Sequence, residues 1–572
     1  MKLIELGCEN DSFRTIKFKQ SGLNLIIGKR KKENSKSTYN GVGKSLALYL
    51  IQFCLGTKAN KKLTKTIPNW TFYLKFSIEG EEYISKRDTS KQNIISLNGK
   101  ALKLDEFNLK MLSLVFELPS ELSRASFRSL ISRFLRTRKE EYIDFDSFVS
   151  KEQEERSLLS NSLMLGLDSV LVQRKFELKE EFTKTNKLRI ILQKDEIFNS
   201  VFGIEGDITL KIKELEKNIS GLEEDLKSFK IAENYKQIQE ETNDLSYQIK
   251  TYINENSINK EILENIEKSL KPIPRSSLED LSNFITSIEN ELKINIQDRI
   301  KEVNEFHENI LKQRTSRFEG EKTTLKREIY SNELLISKLE IKYNQNLKYI
   351  NENGGLEDYT SINLKLNDYK FNLDRIKKSN ELISNYKKRG DEIKLSLAQD
   401  NLITTNYLEK IKETLLMEIS DKFTELVKIF YSNKVGGISI INNSGENKLR
   451  YSIDVRIQDD SSDGINEVKI FCFDILILTL RKNHNVNFVF HDSRLFSDMD
   501  TLQRFPALKL ANNLKDQNMQ YIASLNQDTY DMLKNEQTAE DFKNVIEDNI
   551  ILELSGDSDD KRLLGIHVDL EY

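Results

Sequence analysis

The sequence predicts an α/β globular head that is split along the chain, its halves joined by a long antiparallel α-helical coiled coil. Three observations predict it. The five prolines, Pro68, Pro119, Pro272, Pro274 and Pro506, leave 120–271 and 275–505 free of a residue that costs ~3 kcal/mol inside a helix. Within those stretches apolar residues recur at alternating steps of three and four, the period of a coiled-coil seam. The two ends instead carry strand-like apolar runs punctuated by glycine turns.

Residues 1–165 read as the N-terminal half of the head. "LIEL", "RTIKFK" and "LNLII" are short strand-like runs, and "GKSLALYLIQFCLG" (43–56) is an apolar helix closing at Gly56. "TFYLKFSIEGEEYISKRD" (71–88) alternates around a Glu-Gly turn and reads as a hairpin. Residues 166–430 read as the arms. One seam runs Ile208, Ile212, Leu215, Ile219, Leu222 and Leu226. A second runs Leu325, Ile329, Ile336, Leu339, Tyr343 and Ile350, with Asn332 and Asn346 at the missing steps. A third runs Ile362, Leu366, Tyr369, Leu373, Ile376 and Ile383, skipping at Asn380. "KPIPRSS" (271–277) suits the turn at the tip, and glycine pairs at 203/206 and 354/355 suit an elbow on both strands. At ~1.5 Å per residue each arm would span about 100 Å from elbow to tip. A compact domain of shorter helices is the competing reading; heptads rather than a broad 3.6-residue stripe favour the arm. Residues 431–572 return to α/β character. They hold a hairpin ("GGISIINNSGENKLRYSIDVRIQ"), an apolar helix ("EVKIFCFDILILTL", 467–480) and buried strands in "VNFVFHDS" (486–493) and "MQYIASLNQD" (519–528).

Composition excludes several classes. Charge is nearly balanced, 87 basic against 91 acidic residues, so net charge singles out no polyanionic partner. No apolar run approaches the ~20 residues of a spanning helix, and no secretory signal is visible. Only Cys8, Cys54 and Cys472 occur, which argues against a disulfide framework or a cysteine zinc site and fits a reducing cytoplasm. The four histidines are too scattered to suggest a metal site.

The chemistry centres on "NGVGKS" (40–45). A phosphate-binding loop needs a strand feeding it, small residues that let backbone N–H groups converge, and a helix N-terminus behind it. "LNLII" supplies the strand, Asn40, Gly41 and Gly43 the loop, and the helix from Lys44 the positive end. Lys44 would neutralise the β- and γ-phosphates of ATP, and Ser45 would ligate Mg²⁺. The usual first glycine is missing, so residues 29–39 read as a basic insertion, over the nucleotide or simply solvated. Asp492, ending the strand "VNFVFHD", is the expected second magnesium ligand.

A split head bracketing an antiparallel coiled coil, with this loop and this aspartate, resembles the ABC-type ATPases of the structural-maintenance-of-chromosomes (SMC) and RecN-like group. There the loop commonly reads Asn-Gly-Ser-Gly-Lys-Ser, and this sequence differs at Val42. The interrupted loop, "SSDGIN" and "FVFHDSRLF" look closest to an SMC-like group of unknown function in bacterial ABC-three-component systems, linked to conflict with phages and plasmids. The resemblance implies heads that form a homodimer around ATP, a signature loop reaching the partner's γ-phosphate, DNA as a partner, and further protein subunits. Ser462, Gly464 and Asn466 stand where that signature belongs.

Two departures bear on catalysis. The family's glutamate, which activates water, is Ser493 here, and its switch histidine would fall at Asn526. Neither serine nor asparagine serves unaided as a general base, whose loss costs ~10²–10⁴ in rate. Asp498 and Asp500 are substitutes within reach; His491 should point to the opposite face from Asp492. Arg124, Arg128, Arg138 and Lys139 would share one helix face and could grip DNA phosphates, or form an ordinary charged helix. Three functions remain in view: a slow ATP-gated clamp on DNA within a defence or genome-maintenance complex, a non-hydrolysing ATP-dependent scaffold, and a filament former with a decayed head.

Overall fold

The apolar runs that open the chain form β1 (Lys2–Cys8), β2 (Ile16–Lys17) and β3 (Gly22–Lys29), and "KSLALYLIQFC" forms α1 (Lys44–Cys54). The structure, a computed structural model, describes residues 1–29, 41–149, 152–194, 208–228, 233–270, 297–352, 357–459 and 463–568. The body of the insertion with Asn40, both glycine pairs of the elbow, the tip at 271–277 and Ser462 lie outside the described residues. Two compact units result. One holds both ends of the chain (1–176 and from 400 onward); the other holds the intervening helices (177–274 and 305–399).

In the first unit β4 (Thr71–Ile78) and β5 (Glu81–Asp88) make the expected hairpin, turning at Glu79 and Gly80. Both turn residues have positive φ, 52° and 93°, as a two-residue type I′ loop requires. β6 (Ile94–Leu97) and β7 (Lys100–Lys103) complete a six-stranded antiparallel sheet in the order β2-β1-β4-β5-β6-β7. Then come β8 (Leu135–Arg136), the hairpin β9 (Gly436–Asn442) and β10 (Tyr451–Ile457), and finally β11 (Phe488–His491), β12 (Gln520–Asn526) and β13 (Ile550–Ser555). The last three join β3 and β8 in a parallel sheet ordered β13-β3-β12-β11-β8. β3 is buried along nearly all its length because it is sandwiched between β12 and β13. A strand from the N-terminal half is thus hydrogen-bonded on both edges to strands from the C-terminal half.

The arginine-rich stretch after Pro119 is not a helix face. A short helix (Phe127–Ile131), a 3-10 turn and β8 replace it. Arg128 donates to Leu55 O and Gln52 Oε1, both at 3.0 Å, and Arg133 and Arg136 are fully buried. Arg124 stacks on the Phe176 ring at 4.3 Å. Of the expected face only Arg138 and Lys139 are exposed, because Arg128 satisfies acceptors at Gln52 and Leu55 and Arg124 packs on an aromatic ring. Phe127 and Phe134 pack in the core.

The helices between are α2 (Ser169–Lys194), α3 (Ile208–Ser228), α4 (Glu233–Leu270), α5 (Gln297–Glu352) and α6 (Glu357–Lys410). The heptad positions are the covered ones: Leu215, Leu325, Ile329, Ile350, Leu366, Ile376 and Ile383 are buried, while Asn380 is exposed. Antiparallel pairing holds for α3 with α6 (Glu216–Lys377, 2.9 Å; Glu223–Lys370, 2.7 Å). It holds again for α4 with α5 (Lys260–Glu333, 2.9 Å; Glu267–Lys322, 3.1 Å). A further pairing was not expected. α4 also runs parallel to α6, joined by Asn243–Asn363 (3.0 Å), Lys250–Asp368 and Glu255–Lys378 (3.1 Å). α3 and α4 therefore run in opposite directions, as do α5 and α6, and the α4/α5 pair lies along α6. A straight two-helix arm of about 100 Å does not describe this unit.

Candidate functional site: a phosphate loop facing a buried aspartate

Past the insertion the chain re-emerges at Gly41 and turns into α1 at Gly43. Both glycines have positive φ, 69° and 108°, a region that penalises any Cβ. α1 starts at Lys44 with no acidic residue in its first turn, so its N-terminal partial charge is not offset locally. The Lys44 side chain folds back over the end of β3: a Cβ on Gly28 would lie 2.6 Å from Nζ. That glycine is needed for the ammonium to lie there. Burial pushes the Lys44 pKa down to about 8, and the charge of Asp492 opposes the shift.

Asp492 directly follows β11 and is 1% exposed. Its Oδ2 accepts from Ser45 Oγ at 2.9 Å, although the residues are 447 positions apart. Its Oδ1 accepts from Ser524 Oγ at 2.7 Å, and its backbone N–H donates to Tyr142 OH at 2.9 Å. Arg494 Nε stands 3.6 Å from Oδ2. Ser493 starts the short helix Arg494–Asp498, and its N–H donates to Ser524 Oγ at 2.8 Å. Asn526 ends β12 in register with Gly28, beside the strand end that Lys44 covers. Lys44, Ser45, Asp492, Ser493 and Asn526 thus converge on one end of the parallel sheet, where ligands of open α/β folds gather.

The signature candidates sit elsewhere in their contacts. "EVKIFCFDILILTL" lies in a helix spanning Asp463–Leu480. A Cβ on Gly464 would lie 3.3 Å from Asp500 N, and Asn466 Nδ2 donates to Ile143 O at 3.0 Å. Asp500 caps the helix Thr501–Asn513 by accepting from Leu502 N at 3.0 Å.

Beneath Asp492 lies a buried polar network that the sequence did not announce. Arg136 grips Asp474 with Nε–Oδ2 2.6 Å and Nη2–Oδ1 2.8 Å. His491 bridges Asp474 Oδ2 at 2.8 Å and Tyr521 OH at 2.7 Å, turned away from Asp492 as strand alternation requires. All four side chains are fully buried. Burial lowers the His491 pKa, with Asp474 opposing. Tyr142 OH, which accepts from Asp492 N, donates to Arg136 O at 2.9 Å and ties this network to the site.

The donor set suits a magnesium–nucleotide complex. One carboxylate oxygen and one hydroxyl already face each other, and Mg²⁺ ordinarily takes one or two carboxylates with phosphate oxygens and water. Among the described residues no cluster of three or more His, Cys, Asp or Glu side chains offers an all-protein cage.

The fold is an α/β head split in sequence, its parallel sheet built from both ends of the chain, with long antiparallel helices between them in sequence. A family described as an uncharacterised protein conserved in bacteria (DUF2326) matches residues 426–568 of the chain. No curated protein matches it. Among solved structures the chain is similar to an Smc head domain with a coiled coil and joint derived from Pyrococcus yayanosii. Identity is 14%, each chain is covered to 93%, and the TM-score is 0.37. It is also similar to an Smc head with an extended coiled coil, bound to the C-terminal domain of ScpA, derived from Pyrococcus furiosus. There identity is 12%, coverage 93% and 91%, and the TM-score 0.31. A third, an SmcHead bound to the C-winged helix domain of ScpA, shares 10% identity over 94% and 92%, with a TM-score of 0.32.

Sequence reasoning missed the roles of Ser524, Tyr142, Arg136 and Asp474. Ser524 was within reach, since it lies two residues before Asn526 and so on the same face of β12. Asp474 was the one carboxylate in the apolar run 467–480 past its opening Glu467, a position that demands a buried partner.

Proposed function

We propose that the chain is an SMC-like ATP-binding clamp whose heads form a homodimer around ATP and Mg²⁺. It hydrolyses slowly and acts on DNA as one subunit of a bacterial defence or genome-maintenance complex. The single observation that carries the nucleotide reading is the 2.9 Å contact between Ser45 and Asp492, made by residues from opposite ends of the chain. Gly41, Gly43 and Lys44 hold the phosphates; Ser45 and Asp492 hold the metal; Asn40 belongs to the same loop. Magnesium, when bound, neutralises and orients the β- and γ-phosphates. Ser462, Gly464 and Asn466 act toward the partner head.

Slow turnover follows from Ser493 and Asn526. A neutral hydroxyl and an amide occupy the places where a base and a titrating histidine would stand, and either can only donate to or orient a ligand. The DNA reading rests on the likeness of layout and on Arg138 and Lys139, not on the buried arginines. ATP turnover measured with and without DNA, beside Lys44→Ala, tests the clamp. Turnover that DNA and partner proteins never lift above the Lys44→Ala level defeats it. The absence of a carboxylate at 493 favours a second reading, a non-hydrolysing scaffold that assembles partners through its coiled coil. Solution mass with and without ATP and Mg²⁺ tests what both share: a doubling with nucleotide is expected, and an unchanged mass rejects head dimerisation.

A further inference from the structure

Val42, the position where the loop departs from its commoner form, is 1% exposed, and the reason lies at the other end of the chain. β13 runs beside β3 and ends with Ser555 level with Lys29, at the edge where the phosphate loop begins. The chain then turns tightly. Arg562 N–H donates to Asp559 O at 3.0 Å, and Gly565 N–H to Arg562 O at 3.1 Å. This brings Leu563, wholly buried, against Gly43.

We propose that this C-terminal turn, residues 558–566, is a brace that sets the conformation of the phosphate loop, with Leu563 as its central positioning residue. The inference deepens the nucleotide-binding reading and rests on it. Leu563 spends both its backbone groups on the brace. Its N–H donates to Val42 O at 3.0 Å, and its carbonyl accepts from Arg14 N at 2.9 Å. Arg562 Nη1 donates to Gly41 O at 3.3 Å, and Ser12 Oγ donates to Leu564 O at 2.8 Å. Arg14 Nη1 reaches back to Glu553 O at 2.5 Å and Lys561 O at 3.2 Å.

The geometry of a trans peptide explains what these bonds do. The C=O of one residue and the N–H of the next point in opposite directions. Holding the carbonyls of Gly41 and Val42 toward the brace turns the N–H groups of Val42 and Gly43 away from it. Those N–H groups are the ones a phosphate-binding loop presents to its anion. Steric fit is tight on both sides of the turn. A Cβ on Gly43 would lie 2.5 Å from Leu563 Cβ, and one on Gly565, at φ 68°, would lie 2.2 Å from Ser12 O. Val42 belongs to the same buried core as Leu563, so an apolar residue suits the position.

The test uses the full chain and three variants: Leu563→Ala, Arg562→Ala and the conservative Leu563→Met. The first readout is hydrogen exchange of the peptide covering residues 559–566, whose Leu563 N–H is bonded to Val42 O, in nucleotide-free protein. Leu563→Ala keeps the backbone bonds but removes the buried side chain that anchors the turn, and should speed it by on the order of tenfold, with the other core peptides and Leu563→Met unchanged. The second is competition of MgADP and AMP against a fluorescent ATP analogue. MgADP should weaken by about tenfold in Leu563→Ala while AMP, which lacks the β-phosphate, stays within about twofold. Equal weakening of both would mean general destabilisation and overturn the positioning role. Wild-type exchange rates in both Leu563→Ala and Arg562→Ala would overturn the brace outright. Should Leu563→Ala fail to fold, Arg562→Ala, which removes one contact to Gly41, carries the same readouts. If wild-type protein and Lys44→Ala both ignore nucleotide, the nucleotide reading fails, and the exchange experiment still decides the brace.

Discussion

Replacing Asp474 by alanine leaves the Arg136 guanidinium charged, fully buried and without its anion. Arg136 retains carbonyl acceptors, Phe145 O at 2.6 Å and Ser147 O at 3.1 Å among them, and a Phe148 ring 3.8 Å away. None of these carries a compensating negative charge. Breaking a buried ion pair from one side costs about 3–5 kcal/mol, because one charge stays desolvated. At ~2.1 cal/mol/K per residue, a head of roughly 350 residues shifts its melting midpoint by about 1.4 °C per kcal/mol, so the expected fall is about 4–7 °C. The single tryptophan of the chain, Trp70, packs on Phe72 in the head, so its fluorescence follows that unit and not the helical arms.

The control separates charge from packing. Arg136→Met with Asp474→Leu removes both charges, and it should recover most of the loss, since an apolar pair of similar volume is often as stable as a buried ion pair. Asp474→Asn, which keeps shape but has one acceptor oxygen for three donors, should fall between the two. A midpoint drop below about 2 °C for Asp474→Ala would refute the reasoning. So would a double variant no more stable than Asp474→Ala.

Three further outcomes are expected. Ser493→Glu should raise ATP turnover by up to ~10²–10⁴ if a missing base is what slows the head; an unchanged rate in a folded variant assigns the slow step elsewhere. His484, whose pKa burial lowers from 6.5 to about 4, is neutral in the folded head and takes a proton more readily when unfolded, so stability should fall as pH drops from about 6.5 toward 4. The slope is worth about 3 kcal/mol at most, and His484→Gln should flatten it; parallel pH profiles of both proteins would contradict the assignment. Asn243→Cys with Asn363→Cys should cross-link within one chain through a short bismaleimide, because these side chains meet at 3.0 Å, whereas in a straight hairpin turning near Pro274 they would be far apart.

Much of the fold was legible because it is written in local terms. The type I′ turn at Glu79-Gly80, the heptad seams and the apolar strands ending at Asn526 or just before Asp492 all follow from spacing and residue type. Pairing across the chain was legible only where chemistry demanded a partner, as Ser45 demanded Asp492. The arginine-rich stretch misled because residue counts treat a guanidinium as a surface group, whereas the buried Arg136 here supplies donors to the carbonyls of 144, 145 and 147. The doubling of the helical unit was hidden for a different reason. A heptad seam encodes one neighbour, and the second neighbour of α6 is met by Asn, Thr and Lys side chains that look like an ordinary solvated face.

Ser524 links the two halves of the catalytic question. Its hydroxyl donates to Asp492 Oδ1 and accepts from Ser493 N, so one side chain fixes both the carboxylate proposed to hold the metal and the backbone of Ser493. In the proposed reading Ser45 and Asp492 would hold magnesium, and the Ser524 bond to Oδ1 would keep the carboxylate oriented for it. The backbone at 493 is equally constrained, which is why a glutamate side chain introduced there starts from a defined position rather than a floppy one. In the proposed reading, then, the head keeps a rigid nucleotide-holding frame and lacks only the proton acceptor. That combination makes binding, rather than turnover, the state the chain is built to hold.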